Sequence, residues 1–149
     1  MAGLLLTIGS VAAYFLPPAV DTTSIVFPDN PFSLLFEIKN ENILPLVSVD
    51  YSCVLQAAQI GGWQFKEGDI TGNGPQSPPM HYDVLWGRNA TSGRCEYGVN
   101  VPPGVPVKEA RYRLTIHYWS IPVPIKRTRS VDFVAIRDPE GRIYKWTPE

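Results

Sequence analysis

Apolar and polar residues alternate with a period of two along most of this chain. In residues 47–55, Val47, Val49, Tyr51, Cys53 and Leu55 fall on one face while Ser48, Asp50 and Ser52 fall on the other. The same alternation in residues 110–118 turns Ala110, Tyr112, Leu114, Ile116 and Tyr118 inward and leaves Arg111, Arg113, Thr115 and His117 outward. Residues 33–40 follow the rule, with Leu34, Phe36 and Ile38 on a single side. Segments 22–27, 63–65, 90–97, 126–136 and 142–146 complete a set of about eight short strands. Breakers separate most of them: Pro28-Asp29-Asn30-Pro31, Asn40-Glu41-Asn42, Gly61-Gly62, Pro102-Pro103-Gly104 and Asp138-Pro139-Glu140-Gly141. Residues 68–80 carry no strand signal and read as a surface loop. Short alternating strands without a long amphipathic helix predict an antiparallel β-sandwich.

The first residues obey a different rule. Residues 1–16 contain no charged side chain, and a helix apolar on every face has no side to show water. Such a helix spans roughly 24 Å, against the ~30 Å hydrocarbon core of a bilayer. Pro17-Pro18 ends it sharply. Three readings compete: a membrane anchor, a cleaved signal peptide with Val11-Ala12-Ala13 as its small-residue site, and a buried core helix. No Lys or Arg precedes the apolar stretch, as a signal peptide requires, so the anchor is preferred. The first Lys is Lys39, so flanking charge says nothing about orientation. The expected organisation is a hydrophobic helix over 1–18 followed by one sandwich domain over 20–149.

Composition narrows the functional classes. The chain has 149 residues, the size of one domain. Thirteen Lys and Arg against fourteen Asp and Glu give a net charge of −1, which lacks the basic footprint of a nucleic-acid binder. Cys53 and Cys95 are the two cysteines, too few for a four-ligand zinc site. They read either as a disulfide or as two buried thiols, and a disulfide would place the domain outside the cytoplasm. His81, in a Pro-rich loop, and His117, on a polar strand face, have no nucleophile turn beside them. The carboxylates are scattered, and Gly72-Asn73-Gly74 lacks the Lys-Ser/Thr and helix of a phosphate loop. The expectation is no catalytic residue, no metal and no cofactor.

Several segments together carry a resemblance. Asn30-Pro31-Phe32, Phe36-Glu37-Ile38-Lys39-Asn40 and Leu44-Pro45-Leu46 lead to Val49 and Cys53; Cys95, Tyr118-Trp119 and Ala135-Ile136-Arg137-Asp138 follow. This set resembles small uncharacterised bacterial proteins that join one amino-terminal membrane helix to an immunoglobulin-like β-sandwich. The resemblance covers about 20–147 and implies an immunoglobulin-like antiparallel β-sandwich of about 7–8 strands preceded by a short hydrophobic helix. Such proteins have no established chemistry to carry over, and this chain departs from them in lacking basic residues around its hydrophobic segment.

One feature suggests a contact surface. Ser120-Ile121-Pro122-Val123-Pro124-Ile125 reads as a hairpin connection, yet it is apolar where hairpin tips are polar. Trp119 precedes it, Lys126, Arg127 and Arg129 follow it, and Arg111 and Arg113 lie on the partner strand. In an up-and-down sandwich the loop carrying Ile43 and Leu44 returns to the same end, where the first strand starts. Two readings arise: these residues rest on anionic headgroups or a partner, or the aliphatics plug the open end of the core while the cations are solvated. The resulting expectation is a non-catalytic, membrane-tethered extracytoplasmic binding or scaffolding domain, with the bilayer or another envelope protein as partner. The alternative is a structural subunit that self-assembles, filament-like, through its apolar helix.

Overall fold

A computed structural model describes residues 16–22, 32–67, 81–99, 101–102, 104–122, 124–137 and 144–148. The helix expected over 1–18 and the long loop expected over 68–80 lie outside these residues, apart from Leu16, Pro17 and Pro18. Among the described residues no helix is long and apolar enough to cross a membrane.

Nine strands are described: β1 (Ala19–Thr22), β2 (Ser33–Lys39), β3 (Leu46–Ile60), β4 (Trp63–Lys66), β5 (His81–Leu85), β6 (Ala90–Glu96), β7 (Val107–Ser120), β8 (Ile125–Arg137) and β9 (Tyr144–Pro148). They form two antiparallel sheets, one ordered β1-β2-β6 and the other β4-β3-β7-β8-β9, with β5 also on β3. Strand β3 is long enough to pair β5 along Leu46–Asp50 and β4 along Ala57–Ile60 on the same edge. The inward faces of both sheets supply one core, which includes Leu34, Phe36, Ile38, Val49, Tyr51, Tyr112, Leu114, Ile116 and Phe133. The alternation predicted for residues 110–118 holds: Ala110, Tyr112, Leu114, Ile116 and Tyr118 are all buried.

The structure corrects the sequence reading at three places. Val47 does not share the face of Val49. Ser48 sits at φ 48° and opens a bulge, so that Val47 opposes Trp119 and Asp50 opposes His117. Leu46 therefore takes the core position, opposite buried Leu85 and Ser120. A strand stands where none is expected, at Ala19–Thr22, because pairing with Lys39 starts directly after Pro18; apart from Thr22, the strand expected over 22–27 lies outside the described residues. His81 opens strand β5 instead of lying in a loop.

Contacts between the sheets fix how they pack. The disulfide Cys53–Cys95 joins β3 to β6, with its Cα atoms 5.8 Å apart. Gly93 of β6 lies across from Phe36, whose ring occupies the space a side chain would need: a Cβ at Gly93 would stand 2.4 Å from the Phe36 ring. Tyr51, from the other sheet, meets that ring edge-on at 4.9 Å between centroids. The buried hydroxyl of Tyr112 donates to the Phe32 carbonyl at 2.8 Å, and the exposed hydroxyl of Tyr82 donates to the Ser92 carbonyl at 3.0 Å. Burial pushes the Tyr112 phenol well above its ordinary range, so it stays a neutral donor.

The disulfide closes a separation of 42 residues, which in the loop-entropy account stabilises the fold by about 4 kcal/mol. Cys53→Ala/Cys95→Ala is expected to lower the melting temperature by about 10 °C relative to the parent protein, measured by circular dichroism. An unchanged melting temperature contradicts a structural role for the bridge.

Candidate interaction surface at one end of the sandwich

Strand direction brings the start of β1, β3, β6 and β8 and the end of β2, β5 and β7 to one end of the molecule. A polar knot organises it. Asn40 is buried at the end of β2, and its amide nitrogen donates to the carbonyls of Leu44 at 2.9 Å and Leu85 at 3.0 Å. Its side-chain oxygen accepts from both the backbone and the side-chain nitrogen of Asn42, each at 3.1 Å. Asn42 in turn donates to the Leu16 carbonyl at 2.8 Å and accepts from the Leu16 nitrogen at 2.9 Å. Backbone bonds complete the knot: Arg88 donates to the carbonyls of Asn40 and Asn42, and Asn40 donates to that of Asn89. The β5–β6 turn presses so closely on the β2–β3 loop that a Cβ on Gly87 would lie 2.0 Å from the Ile43 carbonyl oxygen.

With their polar backbone groups engaged inward, these loops turn apolar side chains out. Ile43 is 55% exposed, Trp86 62% and Ile125 46%, and Leu16, Val84, Trp119 and Ile121 are exposed as well. Leu44 is half-buried. The reading in which Ile121, Val123, Ile43 and Leu44 plug the core does not fit Ile43 and Ile121, whose side chains are exposed. Val123 lies outside the described residues. Trp86, which sequence reasoning missed, belongs here because the β5–β6 turn is bonded to the β2–β3 loop.

The cations divide by face. Lys126 opposes Trp119 on the outer face of the larger sheet, and Arg88 is exposed in the β5–β6 turn. Arg127 and Arg129 oppose Tyr118 and Ile116, so they lie on the inward side of β8, half-buried at its edge. Burial pushes the Tyr118 phenol up against the opposing influence of these two arginines. Arg111 and Arg113 do not back the tip as expected. Arg113 forms a two-point ion pair with Asp132, at 2.7 Å for each bond, and Arg111 pairs with Glu109. Arg113 is six residues from Trp119, about 20 Å along an extended strand. Lys39 is engaged by Asp21 and Glu37, and Glu41 is an exposed carboxylate nearby.

No protein-family model matches the chain, and no curated protein matches it. What it does rests on its own residues.

The two histidines stand one row further from this end. His81 holds Asp50 at 2.6 Å and Asp83 at 3.1 Å, one with each ring nitrogen. The Asp50 hydrogen bond, then Asp83, pushes the His81 imidazole above its ordinary value. His117 meets the Thr128 hydroxyl at 2.9 Å. Both lie on the exposed sheet face, and no cluster of His, Cys, Asp and Glu suited to a metal occurs among the described residues. At the opposite end, where Trp63 is 76% exposed, an apolar hollow of about 480 Å³ opens between Ile60, Trp63, Phe65, Val99, Pro102 and Val105.

The knot makes a direct prediction. Asn40→Ala removes four hydrogen bonds of a buried amide and strands the Leu44 and Leu85 carbonyls, at an expected cost of about 2–4 kcal/mol in urea unfolding. A loss below about 0.5 kcal/mol, typical of a neutral surface change, contradicts its organising role.

Proposed function

We propose that this chain is a non-catalytic, membrane-tethered module: an immunoglobulin-like β-sandwich held outside the cytoplasm by residues 1–18, serving to bind or scaffold. The observation that carries the reading is the place of Leu16. Directly after fifteen residues without a charged side chain, Leu16 is bonded through Asn42 to the end of the sandwich that bears Ile43, Trp86, Trp119, Ile121 and Ile125. A tether leaving from this end brings its apolar side chains toward the bilayer. The buried Cys53–Cys95 bridge supports an oxidising compartment. The sheet orders β1-β2-β6 and β4-β3-β7-β8-β9 support an immunoglobulin-like arrangement. The setting of His81 and His117, each bonded on an open sheet face, supports a structural role for both.

Fractionation with protease protection tests this. The full chain is expected in the membrane pellet after alkaline carbonate washing, with the domain cleaved by protease added outside intact spheroplasts. Recovery in the soluble fraction, or protection until lysis, contradicts the reading. Polymers that grow with protein concentration and survive detergent favour instead a subunit assembling through its apolar segment.

A further inference from the structure

We propose that the Leu16 end of the sandwich docks on the anionic surface of the leaflet from which the tether emerges, with Ile43, Trp86, Trp119, Ile121 and Ile125 in the interfacial layer and Arg88 and Lys126 against lipid phosphates. The proposal rests on the tethered reading above and names the partner of that surface.

Three independent observations carry it. The first is the backbone. Entering the interfacial layer costs least when peptide groups are already paired, and the loops at this end are bonded to one another. Arg88 donates to Asn40 and Asn42, Asn89 to Trp86, and the Asn40 amide to Leu44 and Leu85. Apolar side chains are thus presented on a frame whose polar groups point inward.

The second is the chemistry of the rim. Trp86 and Trp119 are exposed amphipathic rings of the kind enriched at headgroup level, beside aliphatic Ile43, Ile121 and Ile125. Lys126 lies directly across from Trp119, and Arg88 follows Trp86 by two residues. Lys126 is thus the cross-strand neighbour of Trp119, and Arg88 shares the β5–β6 turn with Trp86, which supplies the cations an anionic interface requires. The nearby carboxylates Asp21 and Glu37 are engaged by Lys39, and Asp50 and Asp83 by His81; Glu41 alone of those named here has no such engagement described.

The third is connectivity. Leu16 is fixed to Asn42 by two hydrogen bonds, and Ile43 is the next residue along. A segment inserted in lipid holds this end close to the headgroups at high effective concentration, so weak contacts suffice. The exposed residues come from separate turns at one end of the sandwich, and their aliphatic and tryptophan composition suits a headgroup layer.

The test uses the full chain in vesicles of phosphatidylcholine with or without phosphatidylglycerol, with acyl chains brominated near the headgroup to quench tryptophan fluorescence. Quenching is expected to be about twofold stronger in the anionic vesicles, and Arg88→Glu/Lys126→Glu is expected to abolish that difference. Trp86→Phe/Trp119→Phe should lose most of the quenching while still floating with the vesicles, whereas Trp63→Phe, altered at the far end, should retain it. Flotation with equal quenching in the parent and the Trp86/Trp119 variant overturns the docking and leaves the tether standing. Failure to float overturns both. A blue shift of emission that follows protein concentration and not bromine assigns the surface to a second copy and overturns the proposal.

Discussion

The buried carboxamide of Asn40 is the constraint on which the Leu16 end of this molecule depends. A planar amide with two donors and two acceptor positions can bridge loops that share no regular pairing, and all four of its bonds are made here. Its partners come from the β2–β3 loop and the end of β5, and through Asn42 it reaches Leu16. Leaving any of these groups unpaired in a core of Leu46, Leu85 and Pro18 costs more than a single hydrogen bond gains, so the set behaves as one unit. The same bonds that close this end of the core also decide where the amino-terminal segment leaves.

The two ends of the sandwich are therefore chemically different. At the Leu16 end, paired backbone supports outward aliphatic and tryptophan side chains with Arg88 and Lys126 beside them. At the Trp63 end the core opens as an apolar hollow between the β3–β4 hairpin and the β6–β7 connection. Between them the outer face of the larger sheet is polar, with cross-strand pairs His117–Thr128, Thr115–Ser130 and Arg113–Asp132. The Arg113 hydrogen bond holds the Asp132 carboxyl below its usual range, the signature of a solvated ion pair. Such exposed pairs contribute little to stability and keep the face soluble.

Much of this was legible in the sequence because period-two alternation is imposed directly by burial. Strand β7 keeps it from Ala110 to Ser120, after a shift at Val107–Ala110 where β3 slips register, and that inward set belongs to the core. In β3 the alternation misleads at Val47, because the bulge at Ser48 is a local backbone choice that leaves no mark in the polar pattern. Strand β5 was missed since five residues, three of them exposed, carry too little burial to signal a strand next to prolines. The apolar tip around Ile121 and the loop of Ile43 were visible as aliphatics where turns are normally polar. Trp86 was not, since its place depends on Gly87 touching the Ile43 carbonyl, a contact between segments more than forty residues apart. The arginines were misplaced for a simpler reason: membership of a neighbouring strand says nothing about height along it, and Arg113 sits far below the tip.

In the proposed arrangement, the end organised by Asn40 and Asn42 is the one held against the membrane. Amide hydrogen exchange of the full chain, compared between anionic nanodiscs and detergent micelles, tests it most directly. The account predicts added protection in peptides covering 40–46, 84–89 and 119–126, with peptides covering 60–66 and 101–106 unchanged. Protection confined to the Trp63 end, or an identical pattern in both media, would contradict it.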